Sequence, residues 1–173
     1  MKKLLSFILI ILVTIVGSSF LIRDKINWIN FEQLNEQHGL TPKPILIDIY
    51  TNWCGWCKEM DRSTYKHDKL AMYINEHYYA IKFNAESKEP ITFNNKIFKY
   101  NKQYKTHGLA LYLTGGQLSY PTTVFLSSIN AQPAPLHGYM KPKEMEAPLK
   151  FFGEREDAKQ TFVIFNKKFV EEW

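Results

Sequence analysis

Ile45, Leu46, Ile47, Asp48, Ile49 and Tyr50, then Thr51 and Asn52, then Trp53, Cys54, Gly55, Trp56, Cys57 and Lys58 form the stretch on which the reading of this chain turns. Its first six residues are a short, β-branched, mostly apolar block, bounded upstream by Thr41, Pro42, Lys43 and Pro44. A central strand buried on both faces reads this way. Asp48 is the one misfit. An acid in an apolar strand is costly unless it has a partner or a task; the competing reading is an edge position facing water. From Cys54 to about Thr64 the pattern is helical, so a strand hands over to a helix at the two sulfurs.

Those sulfurs belong to the chain's only cysteines. A thiol at a helix amino terminus meets unpaired backbone N–H groups and the positive end of the dipole, both of which favour the thiolate. Cys54 is therefore the expected nucleophile. Cys57, one turn further in, can reach a mixed disulfide formed on Cys54 and resolve it, and burial would keep it protonated until then. Other uses of the pair are weaker. A staple closing so short a loop constrains little of the unfolded chain. A c-type haem site needs histidine where Lys58 stands, and tetrahedral zinc needs two further ligands that no nearby Cys or His pair supplies. Handling of Cu(I), which soft thiolates suit, stays open as an alternative, although the five methionines are scattered. No metal is expected, and no cofactor beyond the Cys54–Cys57 couple itself.

Working outward, Asn27 to Ile29 predicts a short strand, and Asn30 a cap for a helix from Phe31 to about His38. Asp68 is the expected cap of a helix from Lys69 to His77, and Tyr79 to Asn84 reads as a strand. Ile91 to Tyr100 gives two strand-like pieces around Asn94 and Asn95, which tolerate the positive φ of a tight turn, hence an inserted hairpin. His107 to Leu113 is a short apolar helix stopped by Gly115 and Gly116. Pro121 to Leu126 is a strand that returns into another near Leu136 to Met140. Pro142 opens a helix towards Phe152 with a kink at Pro148, and Thr161 caps a last helix with Phe162, Phe165 and Phe169 on one face.

The 173 residues, 45% of them hydrophobic, suffice for one core, and one domain is expected over residues 26–173. Charges of both signs are spread along the chain, and the net +5 is not gathered into a run that could track a phosphate backbone, which argues against nucleic-acid binding. The first 25 residues differ in kind. Lys2 and Lys3 precede the uncharged apolar stretch Leu4 to Ile22, which Arg23, Asp24 and Lys25 close. At about 1.5 Å per residue this stretch nearly crosses a hydrocarbon core of about 30 Å. It is an export signal or a membrane anchor, with the anchor favoured. Gly17, Ser18 and Ser19 resemble a cleavage site, but Phe20, Leu21 and Ile22 would then begin the mature chain.

Ile45 to Lys58 resembles the active-site strand and turn of the thioredoxin superfamily. Trp53 to Lys58, with Met60, is similar in particular to exported thioredoxin-like proteins whose motif reads Trp-Cys-Gly-Trp-Cys-Lys followed by Met, with a further helix and an inserted segment before the proline strand. The likeness runs with decreasing clarity from about Ile26 to Phe152. It implies a three-layer α/β/α sandwich around a central mixed sheet, and thiol:disulfide oxidoreductase chemistry on protein substrates. Asp48, six residues before Cys54, matches the buried acid that helps move the proton of the second cysteine. Tyr120 and Pro121 match the cis-proline loop that faces the disulfide and offers backbone hydrogen bonds to a peptide; a trans proline opening an edge strand is the alternative. Trp53, Gly55 and Trp56 would complete the substrate surface. His107 is expected to cap or fill the core rather than catalyse, and Lys58 to be solvated. One departure matters. Gly55-Trp56 stands where common thioredoxins have Gly-Pro, so neither the potential nor the direction of electron flow carries over.

Motif and apolar segment together predict a periplasmic-side protein of the cell envelope, membrane-anchored or secreted. Reduced by a membrane electron donor, it would reduce disulfides in other exported proteins. Net oxidation or isomerisation is an alternative, as is a binding module in which the hairpin and the Tyr120 loop hold a partner without turnover.

Overall fold

β2 (Ile45–Tyr50) lies at the centre of the sheet because five of its six side chains are apolar and can be buried on both sides. The computed structural model describes residues 25–173, so Leu4 to Ile22 and the reading placed on them lie outside the described residues. β3 (Tyr79–Asn84) runs parallel to β2, pairing Ile45 with Tyr79 through Tyr50 with Asn84. β8 (Thr122–Leu126) runs antiparallel on the other side, pairing Ile45 with Leu126 through Ile49 with Thr122. The two-residue β1 (Trp28–Ile29) borders β3, and β9 (Ala134–His137), which contains Pro135, borders β8.

Side chains alternate along a strand, so β2 feeds two cores. Ile45, Ile47 and Ile49 pack with α1 (Phe31–His38) through Phe31 and Leu34, and with α4 (Gly108–Leu113) through Leu109, Ala110 and Leu113. Leu46 points the other way. It packs with Met60 of α2 (Gly55–Arg62), Leu70 and Ile74 of α3 (Asp68–His77), and Met145 and Leu149 of α5 (Pro142–Gly153). The result is the three-layer sandwich on a mixed sheet that the sequence predicts.

Local chemistry explains the helix and turn boundaries. Asn30 caps α1 reciprocally: its side chain accepts the Gln33 N–H at 2.8 Å, and the Gln33 side chain accepts the Asn30 N–H at 2.9 Å. The inserted hairpin pairs β4 (Ile91–Phe93) with β5 (Lys96–Phe98) across Asn94 and Asn95, at φ 49° and 58°. Phe93 anchors it in the α1 side of the core. Three features differ from the sequence reading. His67, not Asp68, caps α3, so Asp68 becomes its first residue. β9 sits two to three residues earlier than expected because its register is set by β8, from Thr122 opposite His137 to Phe125 opposite Ala134, and Gly138 at φ 96° ends it. A second two-stranded ladder, β6 (Tyr100–Asn101) with β7 (Thr106–His107), follows the hairpin. α5 opens at Pro142 and carries Pro148 inside it, as the sequence predicts. α6 (Phe162–Lys168) begins at the Thr161 cap and lays the rings of Phe162 and Phe165 against Phe151, at 5.4 and 5.3 Å. Among the described residues no helix is long and apolar enough to cross a membrane.

Candidate active site

The turn after β2 closes when the Cys54 N–H donates to the Thr51 carbonyl at 3.2 Å. Cys54 keeps extended backbone angles and becomes the N-cap of α2, where its sulfur accepts the Cys57 N–H at 3.0 Å. This is the donor that a thiolate on Cys54 would need, supplied at the positive end of an eight-residue helix. The two sulfurs are joined in a disulfide with an S–S distance of 2.10 Å. Cys54 is 5% exposed and Cys57 4%, so burial extends to both cysteines and not to Cys57 alone. Around them the surface is aromatic. Trp53 and Trp56 are 67% and 64% exposed. Trp53 donates its indole N–H to Glu86 Oε1 at 3.1 Å and meets Tyr120 edge-on at 6.0 Å, while Trp56 lies 5.5 Å from the ring of Tyr139. Gly55 is exposed, and a Cβ there would touch nothing within 4 Å.

Pairing of Ile49 with Thr122 brings the loop before β8 to the end of β2 from which the cysteine turn departs. The Tyr120–Pro121 bond in that loop is cis. The loop is tied on both flanks. Pro121 O accepts the Gly138 N–H at 2.8 Å, and Thr122 Oγ1 donates to Ser119 O at 2.7 Å. His137 Nδ1 stands 2.9 Å from Thr122 Oγ1 and 3.1 Å from Ser119 Oγ. The Tyr120 hydroxyl lies 3.4 Å from Thr106 Oγ1, and burial raises its pKa.

Asp48 is 2% exposed on the central strand, which overturns the reading of it as a solvent-facing edge residue. Its cross-strand neighbours are Lys82 on β3 and Thr123 on β8. Lys82 Nζ is 3.3 Å from Asp48 Oδ2 and is also ion-paired with Asp61 of α2. The ammonium sits among the rings of Trp28, Tyr50 and Tyr65, at 5.3 to 5.8 Å from their centroids. Burial pushes the Asp48 carboxyl up to about 6 against the opposing pull of Lys82, and the charge of Asp61 adds to the rise. A carboxyl of that kind can take or give a proton close to neutrality.

The family model Thioredox_DsbH, described as a protein of unknown function, DUF255, matches residues 17–162. The chain belongs to the Thioredox_DsbH family. The match spans the cysteine turn, the acid of β2 and the cis-proline loop alike. The thiol:disulfide interchange protein DsbD of Campylobacter jejuni strain RM1221 is 28% identical over 107 residues, which are 61% of this chain but only 18% of that protein. Among solved structures, a thioredoxin-fold protein from Helicobacter pylori aligns with a TM-score of 0.57 at 23% identity, covering 73% of this chain and 79% of its own. A structure described as a DsbH oxidoreductase aligns at 0.55 and 14% identity, covering 80% and 91%. These likenesses show that the Thioredox_DsbH sandwich is a thioredoxin fold.

His107, in this Thioredox_DsbH chain, is a cap. It is fully buried at the start of α4, where Nδ1 accepts the Leu109 N–H and Nε2 donates to Glu89 O, both at 3.1 Å. Burial lowers its pKa and keeps it neutral. Lys58 is exposed. Among the described residues no group of three or more His, Cys, Asp or Glu is placed to hold a metal ion. Sequence reasoning passed over Lys82, Asp61, Glu86 and Tyr139. Two of these carried a signal: Lys82 is the one charge in the strand Tyr79–Asn84, complementary to the misfit Asp48, and Asp61 follows Cys57 by one helical turn.

Proposed function

We propose that this chain is a thiol:disulfide oxidoreductase of the cell envelope that reduces disulfides in exported proteins and is itself re-reduced by a membrane electron donor. The observation that carries the reading is the Cys54 sulfur at the N-cap of α2, receiving the Cys57 N–H beside the Tyr120–Pro121 loop. The apolar stretch Leu4 to Ile22 supports a place at or beyond the membrane, and the similarity to a thiol:disulfide interchange protein supports the chemistry.

In the reduced state the Cys54 thiolate attacks one sulfur of a substrate disulfide, and the other substrate sulfur leaves as a thiolate. Asp48 then takes the proton of Cys57, whose sulfur attacks Cys54 and expels the second substrate thiolate. Two electrons pass to the substrate, and the Cys54–Cys57 disulfide remains for the donor to reduce. The peptide is held by backbone hydrogen bonds at Tyr120–Pro121, on the surface that Trp53, Gly55 and Trp56 shape around the sulfur.

The test is reduction of insulin by the purified full chain with dithiothreitol as the electron source. Cys54→Ser is expected to lose the activity, and Cys57→Ser to accumulate a mixed disulfide detectable by mass. Equal rates for wild type and Cys54→Ser remove the enzymatic reading. A redox titration decides direction: a potential near that of thioredoxin, about −270 mV, supports a reductant, and one near −120 mV an oxidant.

A further inference from the structure

The last residue of β9, His137, stands opposite Thr122, the first residue of β8, and Gly138 follows at φ 96°. Side chains of directly paired residues share a face of the sheet, so the imidazole and the Thr122 hydroxyl meet. Two successive residues therefore hold the loop before β8. The Gly138 N–H donates to Pro121 O at 2.8 Å, and His137 Nδ1 lies 2.9 Å from Thr122 Oγ1 and 3.1 Å from Ser119 Oγ. Pro121 has no N–H, and its carbonyl is taken by Gly138. What the loop offers a client is thus the peptide backbone of Tyr120.

Counting hydrogens decides which partner donates. Thr122 Oγ1 carries a single hydrogen and gives it to Ser119 O, a carbonyl that can only accept, at 2.7 Å. Towards His137 the hydroxyl can then only accept, so it is Nδ1 of the ring that carries a hydrogen. Ser119 Oγ is a second acceptor for the same N–H. A directed chain results, from Nδ1–H to Thr122 Oγ1 and from its hydrogen to Ser119 O, tying together the two residues that flank Tyr120 and Pro121. Thr122 is fully buried whereas His137 is exposed. Without the imidazole, the buried hydroxyl loses a donor that solvent does not readily replace.

We propose that His137 is a positioning residue for the client peptide: by donating from Nδ1 to Thr122 it locks the segment 119–122 and so fixes where the Tyr120 backbone meets the chain being reduced. The proposal rests on the reading of the Tyr120–Pro121 loop as the peptide-holding loop. A hydroxyl at position 137 is too short to span both contacts, and a longer amide places its nitrogen one bond too far out. The ring atom that matters is the one attached directly to Cγ.

The test is single-turnover reduction, by the pre-reduced full chain, of a disulfide-bonded peptide and of 2-hydroxyethyl disulfide, which has no peptide backbone, each followed against concentration. His137→Leu is expected to raise the half-saturating peptide concentration about fivefold, the effect of one ordinary hydrogen bond, with the limiting rate changed by less than about twofold. Preference for the peptide over the small disulfide falls by the same factor. Thr122→Val should do the same, and the double variant no more than either alone, since both act through one chain of hydrogen bonds. His137→Asn, whose amide nitrogen takes the place of Nδ1, is expected to restore the wild-type preference, and His137→Gln is not. Leu136→Ala removes a side chain from the opposite face of β9, where it packs with the Leu46 core, and is expected to lower stability while leaving the preference in place. An unmoved preference in His137→Leu, equal rescue by Gln and Asn, or an equal loss in Leu136→Ala overturns the role of His137 and leaves the oxidoreductase reading intact. Failure of the wild-type chain to reduce either substrate overturns that reading and the proposal with it.

Discussion

Ile45, Ile47 and Ile49 on one face of β2 meet Phe31, Leu34, Leu109 and Leu113, whereas Leu46 and Asp48 on the other meet Met60 and Lys82. Each face carries a buried titratable group, and the two are of opposite kind. His107 packs edge-on against Phe83 on the isoleucine side and is held neutral, so acid is what disturbs it. Asp48 is held close to neutrality by burial on the other side, so base is what disturbs it. A strand that alternates side chains can thus give one face to rigidity and the other to a buried charge. The first holds the sheet in place; the second gives up stability for the acid that the proposed function uses as a base.

The largest expected effect tests the division itself. Ile47→Ala is expected to lose about 3–4 kcal/mol of stability in a denaturant titration, as large-to-small changes in a packed core do, while the exchange rate per folded molecule stays unchanged. A loss of rate in the folded fraction breaks the comparison. Asp48→Asn is expected to act in the other sense. The native carboxyl titrates at about 6 against 3.8 as its ordinary value, so the native state holds its proton longer and stability falls as pH rises between those values. At pH 8 the Asn variant should therefore be more stable by roughly 2 kcal/mol and equal to wild type near pH 4, with slower exchange. His107→Asn sharpens the contrast. Because burial depresses the imidazole, wild-type stability is complete above the unfolded value of 6.5 and declines as pH falls below it. The variant keeps a capping side chain, loses about 1 kcal/mol at pH 7.5, and should show a flatter acid limb with insulin reduction unchanged. Smallest is Glu86→Ala, which removes the exposed acceptor of the Trp53 indole. Stability should change by about 0.5 kcal/mol, detectable as a small shift in tryptophan fluorescence and a modest loss of insulin reduction.

Much of this arrangement was legible because its signals are local. Asn94 and Asn95 announce a turn through their tolerance of positive φ, Asn30 announces a helix start, and Asp48 stands out against five apolar neighbours. What was not legible depends on register between distant segments. Lys82 and Asp48 are 34 residues apart, and only the parallel alignment of β2 with β3 makes them neighbours. The β6–β7 ladder is two residues long on each side, too short for any periodicity, and its turn is built by the side chain of Asn101 accepting the N–H groups of Gln103 and Tyr104. β9 drifted from its expected place because Leu136 to Met140 is as apolar as the true strand, and the choice is made by pairing with β8. Glu86 and Tyr139 acquire their meaning only from the rings they touch.

Pro135 occupies the border strand of the sheet, opposite Val124, and proline there supplies no N–H to a strand lying alongside. The opposite border is only two residues long. Clients of a disulfide reductase are half-folded chains with unsatisfied strands of their own, ready to zip onto any ladder that offers them donors. Under the proposed function, a sheet whose margins refuse that pairing would leave such a chain the end near Cys54 to visit and let it depart once its sulfurs are free.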